Sequence, residues 1–163
     1  MKHVSGRSTV VLGVLLCVAA VDARASSVMR GDTKLIEEAV LAVNAEMTKA
    51  GEAVDAERLF SFMLETDKGS VIQNGLVMAT RQEALERVRS NLRGVTGIQY
   101  NWKHQYVTVL SPEIAVLTAE GVSTATTTTG ETFSTPFAQT IVFVLRPDGW
   151  KAIHAHQSSP RAR

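Results

Sequence analysis

Apolar residues recur at helical spacing in the first half of the chain. Residues 32–52 place them three or four positions apart, which predicts an amphipathic helix with one buried stripe. Asp32 or Thr33 can cap the start of this helix, and Gly51 can end it. A second, shorter helix is predicted over 55–64. The stripe of the first helix consists of Ile36, Val40, Val43 and Met47.

A turn signal separates these two helices from a third. Within residues 70–80, Asn74-Gly75 supplies the two positive-φ positions of a tight hairpin turn between short apolar strands. The stretch 80–94 follows, where Thr80 and Glu83 form a capping box in front of an apolar stripe. The sequence therefore predicts a hairpin that leads directly into a capped helix.

Strand patterns fill the chain after Gly94. Helices that come first and strands that follow together indicate an α+β fold, in which a curved antiparallel sheet wraps around N-terminal helices. The predicted strands lie within 97–110, 113–125, 133–146 and 150–160. Strict alternation along the first of them predicts one shared face. That face would carry Ile98, Tyr100, Trp102, His104 and Tyr106.

The N-terminal segment has the pattern of a secretory signal peptide. Basic residues precede an apolar run at 10–21, which is too short to span a bilayer comfortably as a helix. The small-x-small sequence at 23–25 predicts cleavage after Ala25. An uncleaved N-terminal anchor is the alternative. We expect a signal peptide at 1–25, one domain at 26–160, a frayed tail at 161–163, and a periplasmic or secreted product.

Charge and cysteine content narrow the classes of partner. Without residues 1–25 the chain keeps 14 basic and 15 acidic residues, so it has no basic field that would attract nucleic acid. The single cysteine, Cys17, leaves with the signal peptide. We therefore expect neither a disulfide framework nor a cysteine nucleophile, and no membrane contact beyond the signal peptide.

The order of elements, with three local features, resembles a known family. The features are the amphipathic first helix, "NGLVMATRQEAL" (74–85) and the closing strand "GWKAIHAHQSSP" (149–160). Over roughly residues 33–160 the chain resembles the SnoaL-like branch of the nuclear transport factor 2-like superfamily. The resemblance implies a cone, in which a bent sheet encloses an apolar cavity, and a homodimer joined through the sheet. It does not fix an activity, because this fold hosts enzymes, binders and assembly modules.

The residues present limit which catalytic chemistries are possible. The carboxylate pair of ketosteroid isomerases does not transfer, because no predicted strand carries an aspartate. A dehydratase-type reaction would use His154 or His156 as proton shuttle, and the alternative is that both are ordinary strand histidines. These two histidines could supply two of the three ligands that zinc needs, but no sequence spacing brings His104 or Glu120 to them as a third, so neither a metal nor a cofactor is predicted.

A ligand cavity is the function that the residues favour. The predicted ligand-binding residues are Trp102, Tyr106, Gln139, His154 and His156. A two-residue loop before the last strand would set His156 across from Gln139, and a three-residue loop with a bulge would set it across from Thr140. The predicted function is binding of a small, mostly apolar organic molecule. The alternatives are a proton-transfer enzyme that uses His154 or His156, and a non-catalytic dimerisation module.

Overall fold

The computed structural model describes the backbone of residues 12–160 and the side chains of residues 32–160. The helices are α1 (Leu12–Glu52), α2 (Ala56–Ser61) and α3 (Arg81–Asn91). The strands are β1 (Val71–Gln73), β2 (Leu76–Met78), β3 (Val95–Ser111), β4 (Ile114–Thr127), β5 (Thr132–Arg146) and β6 (Gly149–Ser158). The tail at 161–163 and residues 1–11 of the predicted signal peptide lie outside the described residues. Among the residues that are described, no helix is both long and apolar enough to cross a membrane.

Helix α1 buries the stripe that its sequence predicts. Val40 and Met47 are buried, and Ile36 and Val43 are partly buried against the same core. Asn44 lies in this stripe as well, and only 2% of it is exposed. A buried amide in an apolar stripe needs hydrogen-bond partners, which gives this residue a role beyond packing.

Gly51 does not end α1, contrary to the expectation from sequence. The helix continues to Glu52, and the chain reverses at Val54, whose φ is 58°. The backbone N–H of Asp55 donates to the carbonyl of Ala50 at 3.0 Å, and that of Val54 donates to Gly51 at 3.0 Å. These two bonds form a Schellman motif, in which valine occupies the left-handed position that glycine usually takes.

The hairpin and the capping box that the sequence predicts are both present. Asn74 and Gly75 have φ of 51° and 81°, and β1 pairs with β2 on either side of them. The backbone N–H of Glu83 donates to Thr80 Oγ1 at 3.0 Å. The Glu83 carboxylate in return accepts from the backbone N–H of Ala79 at 2.8 Å, so the start of α3 is closed by reciprocal bonds.

The strands form one open, six-stranded sheet in the order β2-β1-β6-β5-β4-β3. Four of the neighbouring pairs are antiparallel, whereas β1 runs parallel to β6. The sheet is therefore mixed, and the parallel pair joins the N-terminal hairpin to the last strand. Helices α1 and α2 cover one face, which we call the inner face, and the α+β class expected from sequence is confirmed.

Two β-bulges decide which side chains reach the inner face. In β3, Trp102 pairs with Gly121 and His104 with Glu120, so Lys103 is an extra residue. In β6, Ala152 pairs with Phe143 and His154 with Val142, so Ile153 is extra. Because side chains alternate between faces, each extra residue moves the rest of its strand to the opposite face.

Gly121 makes the bulge in β3 sterically possible. A Cβ atom at this position would lie 2.6 Å from the carbonyl oxygen of Asn101, which is a backbone atom that cannot rotate away. Only glycine allows β3 and β4 to approach this closely. The main core lies between α1, α2 and the inner face of the sheet. Its members include Met47, Phe60, Leu117, Ile141, Phe143 and Trp150.

Candidate ligand cavity

A cavity of about 140 Å³ lies between α1, α2 and the inner face of the sheet. Its apolar lining comes mainly from the helices and from the first strand: Met47, Leu59, Phe60, Met63, Val71 and Val88. Its polar lining comes mainly from the strands and one turn of α1: Asn44, Thr48, Gln73, Tyr100, Gln139 and Gln157. A mostly apolar recess with a few polar groups on one side is the usual form of a small-molecule site.

Aromatic rings form one wall of the cavity. Tyr100 and Trp102 lie in β3 before its bulge, and their rings are stacked with centroids 5.9 Å apart and an interplanar angle of 15°. Phe137 of β5 does not line the cavity but supports both rings by packing edge-on against them, at 5.8 Å from Tyr100 and 5.2 Å from Trp102. Edge-to-face contacts of this kind fix ring orientation, so the wall is rigid.

Carboxamide side chains form a row across the inner face. The backbone register places Gln73 opposite Gln157, and Gln157 opposite Gln139. The same row continues through Ala119 to Gln105 on β3. Residues in register across neighbouring strands share a face and lie about 5 Å apart. Three members of the row, Gln73, Gln139 and Gln157, line the cavity.

Two hydrogen bonds orient these carboxamides. Gln73 Nε2 donates to Gln157 Oε1 at 2.6 Å, and Asn44 Nδ2 donates to Gln105 Oε1 at 2.8 Å. Within residues 32–160, the Gln139 side chain has no hydrogen-bond partner, and neither does Asn44 Oδ1. The cavity thus presents oriented amides at Asn44, Gln73 and Gln157 and an unpartnered amide at Gln139, so its hydrogen-bonding capacity is only partly used.

The Tyr100 phenol stays neutral at physiological pH. Burial raises its pKa above the ordinary value of 10.0, and the nearby carboxylate of Glu52 raises it further. The carboxylate itself accepts from the backbone N–H of Tyr100 at 3.2 Å. Tyr100 can therefore act as a hydrogen-bond donor in the cavity without acquiring charge.

The bulge at Ile153 changes the orientation expected for the two histidines. His154 and His156 pair with Val142 and Thr140, the outer row, so the prediction that both face the inside of the cone is wrong. His154 Nδ1 donates to the carbonyl of Gly69 at 2.8 Å and does not line the cavity. His156 is exposed and reaches only the rim of the cavity.

The structure has the loop length of one predicted register and the His156 pairing of the other. Arg146 pairs with Gly149, so the connection is the two-residue loop Pro147-Asp148. His156 nevertheless lies across from Thr140, because the extra residue is inserted in the strand at Ile153 and not in the loop.

The bulge at Lys103 has the same effect on β3. Trp102 faces inward, whereas Tyr106 lies on the outer face with 60% of its surface exposed. The expectation that Trp102 and Tyr106 share a face is therefore wrong. On the outer face, the Tyr106 ring stacks on His104 with centroids 5.7 Å apart, and His104 Nε2 is 3.8 Å from Glu120.

Three of the predicted ligand residues reach the cavity, namely Trp102, Gln139 and His156. The sequence reasoning missed Asn44, Gln73 and Gln157, although Asn44 was detectable as a polar residue within an apolar helical stripe. Among residues 32–160, no Asp, Glu, Lys or Arg lines the cavity, and no cluster of three or more His, Cys, Asp and Glu side chains could hold a metal ion.

The model of the SnoaL-like domain family matches residues 40–162, three quarters of the chain. No curated protein matches at a significant level.

Solved structures share the fold at low sequence identity. A candidate dehydratase of the nuclear transport factor 2-like family from Streptomyces avermitilis superposes with a TM-score of 0.69 at 23% identity, covering 80% of this chain and 99% of its own. A candidate scytalone dehydratase from Novosphingobium aromaticivorans gives 0.71 at 9% identity, covering 81% and 89%. A ketosteroid isomerase-like protein from Erwinia carotovora atroseptica gives 0.63 at 18% identity, covering 77% and 96%.

Proposed function

The chain belongs to the SnoaL-like domain family, and we propose that it binds a small, mostly apolar organic molecule in the cavity beneath α1. One observation carries this proposal. The cavity combines an aromatic wall, formed by Tyr100 and Trp102 and supported from behind by Phe137, with carboxamides whose hydrogen-bonding capacity is only partly used. Apolar surface supplies affinity in such a site, and a few oriented polar groups supply specificity.

The size of the cavity limits the size of the ligand. An apolar cavity of about 150 Å³ in another protein is known to take up one benzene ring. The cavity here, at about 140 Å³, is comparable and opens to solvent at the rim near His156. A ligand of about one aromatic or alicyclic ring with a short polar end therefore matches the size of the cavity.

Proton-transfer chemistry receives less support than binding. Two of the solved relatives are candidate dehydratases and one is isomerase-like, but identities below 25% relate them to this chain by fold alone. His154, one of the two predicted bases, is bonded to Gly69 away from the cavity. His156 remains at the rim, so a catalytic role would have to rest on that residue.

We also propose that the protein is exported and forms a homodimer through the outer face of the sheet. The pattern at residues 1–25 supports export. The outer face carries Tyr106 and Ile114, which are 60% and 39% exposed, beside the partly buried valines Val116 and Val142. Exposed apolar side chains grouped on one sheet face are typical of a partner surface.

Binding can be tested with toluene and NMR of isotope-labelled protein. The chain has two tryptophans, and only Trp102 lines the cavity, so Trp150 serves as an internal reference. We expect toluene to shift the Trp102 indole signal and to leave that of Trp150 unchanged. The two signals are assigned with the variant Trp102→Phe.

A cavity-filling variant makes this test specific. Ala155 lines the cavity, whereas Ala138 lies exposed on the outer row of β5. Ala155→Leu should weaken toluene binding about tenfold or more, because the added methyl groups occupy ligand volume. Ala138→Leu should bind as the wild type does. An unshifted Trp102 signal at saturating toluene, or equal binding by both variants, would contradict the proposed function.

A further inference from the structure

Apart from His156 at the rim, the polar groups that line the cavity are uncharged. They are the carboxamides of Asn44, Gln73, Gln139 and Gln157, together with the hydroxyl groups of Thr48 and Tyr100. The charged groups nearby form hydrogen bonds with the backbone. Glu52 accepts from the backbone of Tyr100, and Arg81 donates to the carbonyl of Phe60 at 2.8 Å. His156 lies at the exposed rim, where water solvates it.

The unused hydrogen-bonding capacity includes both donors and acceptors. Gln157 accepts from Gln73 through Oε1, which leaves its own Nε2 to donate. Asn44 donates to Gln105 through Nδ2, which leaves its Oδ1 to accept, and 98% of this residue is buried. Gln139 lies next to Gln157 in the row. Neither its amide oxygen nor its amide nitrogen has a hydrogen-bond partner within residues 32–160. A ligand that offers only acceptors or only donors would leave part of this set unsatisfied.

A charged ligand would lose its hydration here without meeting an opposite charge. Neutral amide groups offer a buried carboxylate or ammonium group no opposite charge, so they offset only part of its desolvation cost. A neutral carboxamide, by contrast, matches carboxamide partners in both directions, since each amide carries an acceptor oxygen and donor N–H groups.

We propose that the cavity selects uncharged ligands whose polar end is a carboxamide or a lactam, over isosteric carboxylates and cations. This inference rests on the proposed binding function. It assigns Gln139, in the middle of the row, as the residue that forms hydrogen bonds with the polar end of the ligand. Gln157 is next to Gln139 in the row, Asn44 of α1 lines the same cavity, and the aromatic wall holds the ring of the ligand.

Three isosteric probes test the selection. Benzamide, benzoate and benzamidinium share one ring and one planar head, but at neutral pH they carry no charge, one negative charge and one positive charge. In the NMR titration of Trp102, benzamide should bind about tenfold or more tightly than either ion, because only the ions lose solvation without compensation. Benzoate binding as tightly as benzamide would overturn the inference.

Two variants of Gln139 assign the selection to that residue. Gln139→Leu should reduce the preference for benzamide over toluene, and Gln139→Glu should shift the preference towards benzamidinium. Gln99 is the matched control, because it is an exposed glutamine on β3 outside the cavity, so Gln99→Leu should keep the wild-type order. If Gln139→Glu still prefers benzamide over benzamidinium, Gln139 does not contact the polar end of the ligand.

The toluene titration separates this inference from the proposed function. If toluene shifts Trp102 but benzamide and benzoate bind equally, the cavity binds ligands and the inference fails. If neither toluene nor any of the three probes shifts Trp102, the proposed function and the inference fail together.

Discussion

Tyr100 lies where α1, the sheet and the cavity meet. A Cβ atom at Gly51 of α1 would approach the Tyr100 ring to 3.1 Å, so glycine at that helical position is what lets the ring pack against the helix. The ring then stacks on Trp102 and completes the aromatic wall. The same burial that positions this phenol also keeps it protonated.

The raised pKa of Tyr100 predicts a stability change at high pH. The pKa of such a phenol is higher in the folded state than in the unfolded state. Its contribution to stability is complete below the unfolded-state pKa and is lost as the pH rises through the folded-state pKa. In the variant Tyr106→Phe, Tyr100 is the only tyrosine. We expect its phenolate absorbance to appear with a midpoint above 10.0 in the folded protein, and lower after unfolding in denaturant.

The matched variant completes this experiment. Tyr106→Phe keeps Tyr100 and should therefore lose folding stability as the pH rises above the unfolded-state pKa of that phenol. Tyr100→Phe should lack this part of the stability loss. A folded-state midpoint at or below 10.0 in Tyr106→Phe would contradict the burial described for Tyr100.

Single side chains could be assigned to the cavity from sequence only where they follow a strong local pattern. Trp102 was found because it is a large aromatic residue in an alternating strand, and Gln139 because it interrupts an apolar strand. Gln73 and Gln157 join the site through the register of β1 beside β6, a parallel contact between segments 84 residues apart. No local pattern encodes such a pairing.

At the scale of elements, the two bulges determine what the cavity contains. Without Ile153 as an extra residue, His154 and His156 would occupy the inner row and Gln157 the outer one. The apolar stripe of α1, the helices α2 and α3, the hairpin and the capping box were predictable because local patterns specify them, whereas α1 begins at Leu12 and not at the cap predicted at Asp32 or Thr33. A bulge depends on how the partner strand fits, and the sequence of one strand does not reveal it.

Gly121 offers a direct test of the bulge in β3. Gly121→Ala places a Cβ atom 2.6 Å from the backbone oxygen of Asn101, so we expect a loss of about 1–3 kcal/mol in the free energy of unfolding. Gly97, also within the β3–β4 pair, has no atom within 4 Å of an added Cβ. Gly97→Ala should be neutral or slightly stabilising.

Denaturant titration of the two glycine variants provides the comparison. Equal unfolding midpoints for Gly121→Ala and Gly97→Ala would mean that β3 and β4 do not approach as closely at the bulge as described.

At the scale of the whole molecule, the family fold leaves two surfaces of different character. The inner face encloses the cavity, and the outer face exposes Tyr106 and Ile114. The α+β class followed from the order of helices and strands, because fold class depends on that order more than on any residue. The function does not follow from the fold, so it depends on the cavity.

Native mass spectrometry of the untagged protein, collected from cells that export it, tests export and dimerisation together. We expect the mass of a dimer whose chains begin at Ser26. Tyr106→Glu should yield monomers, because it would bury a charge at the proposed interface. A monomeric wild-type protein would contradict the dimer, and an unprocessed mass would contradict the cleavage site.

The most direct measurement is a crystal structure of the protein with benzamide. We expect the ring of benzamide against Trp102 and its amide within hydrogen-bond distance of Gln139 and of Asn44 Oδ1. A cavity closed by its own side chains, or benzamide bound only outside it, would contradict the assignment of this cavity as a site for uncharged amide ligands.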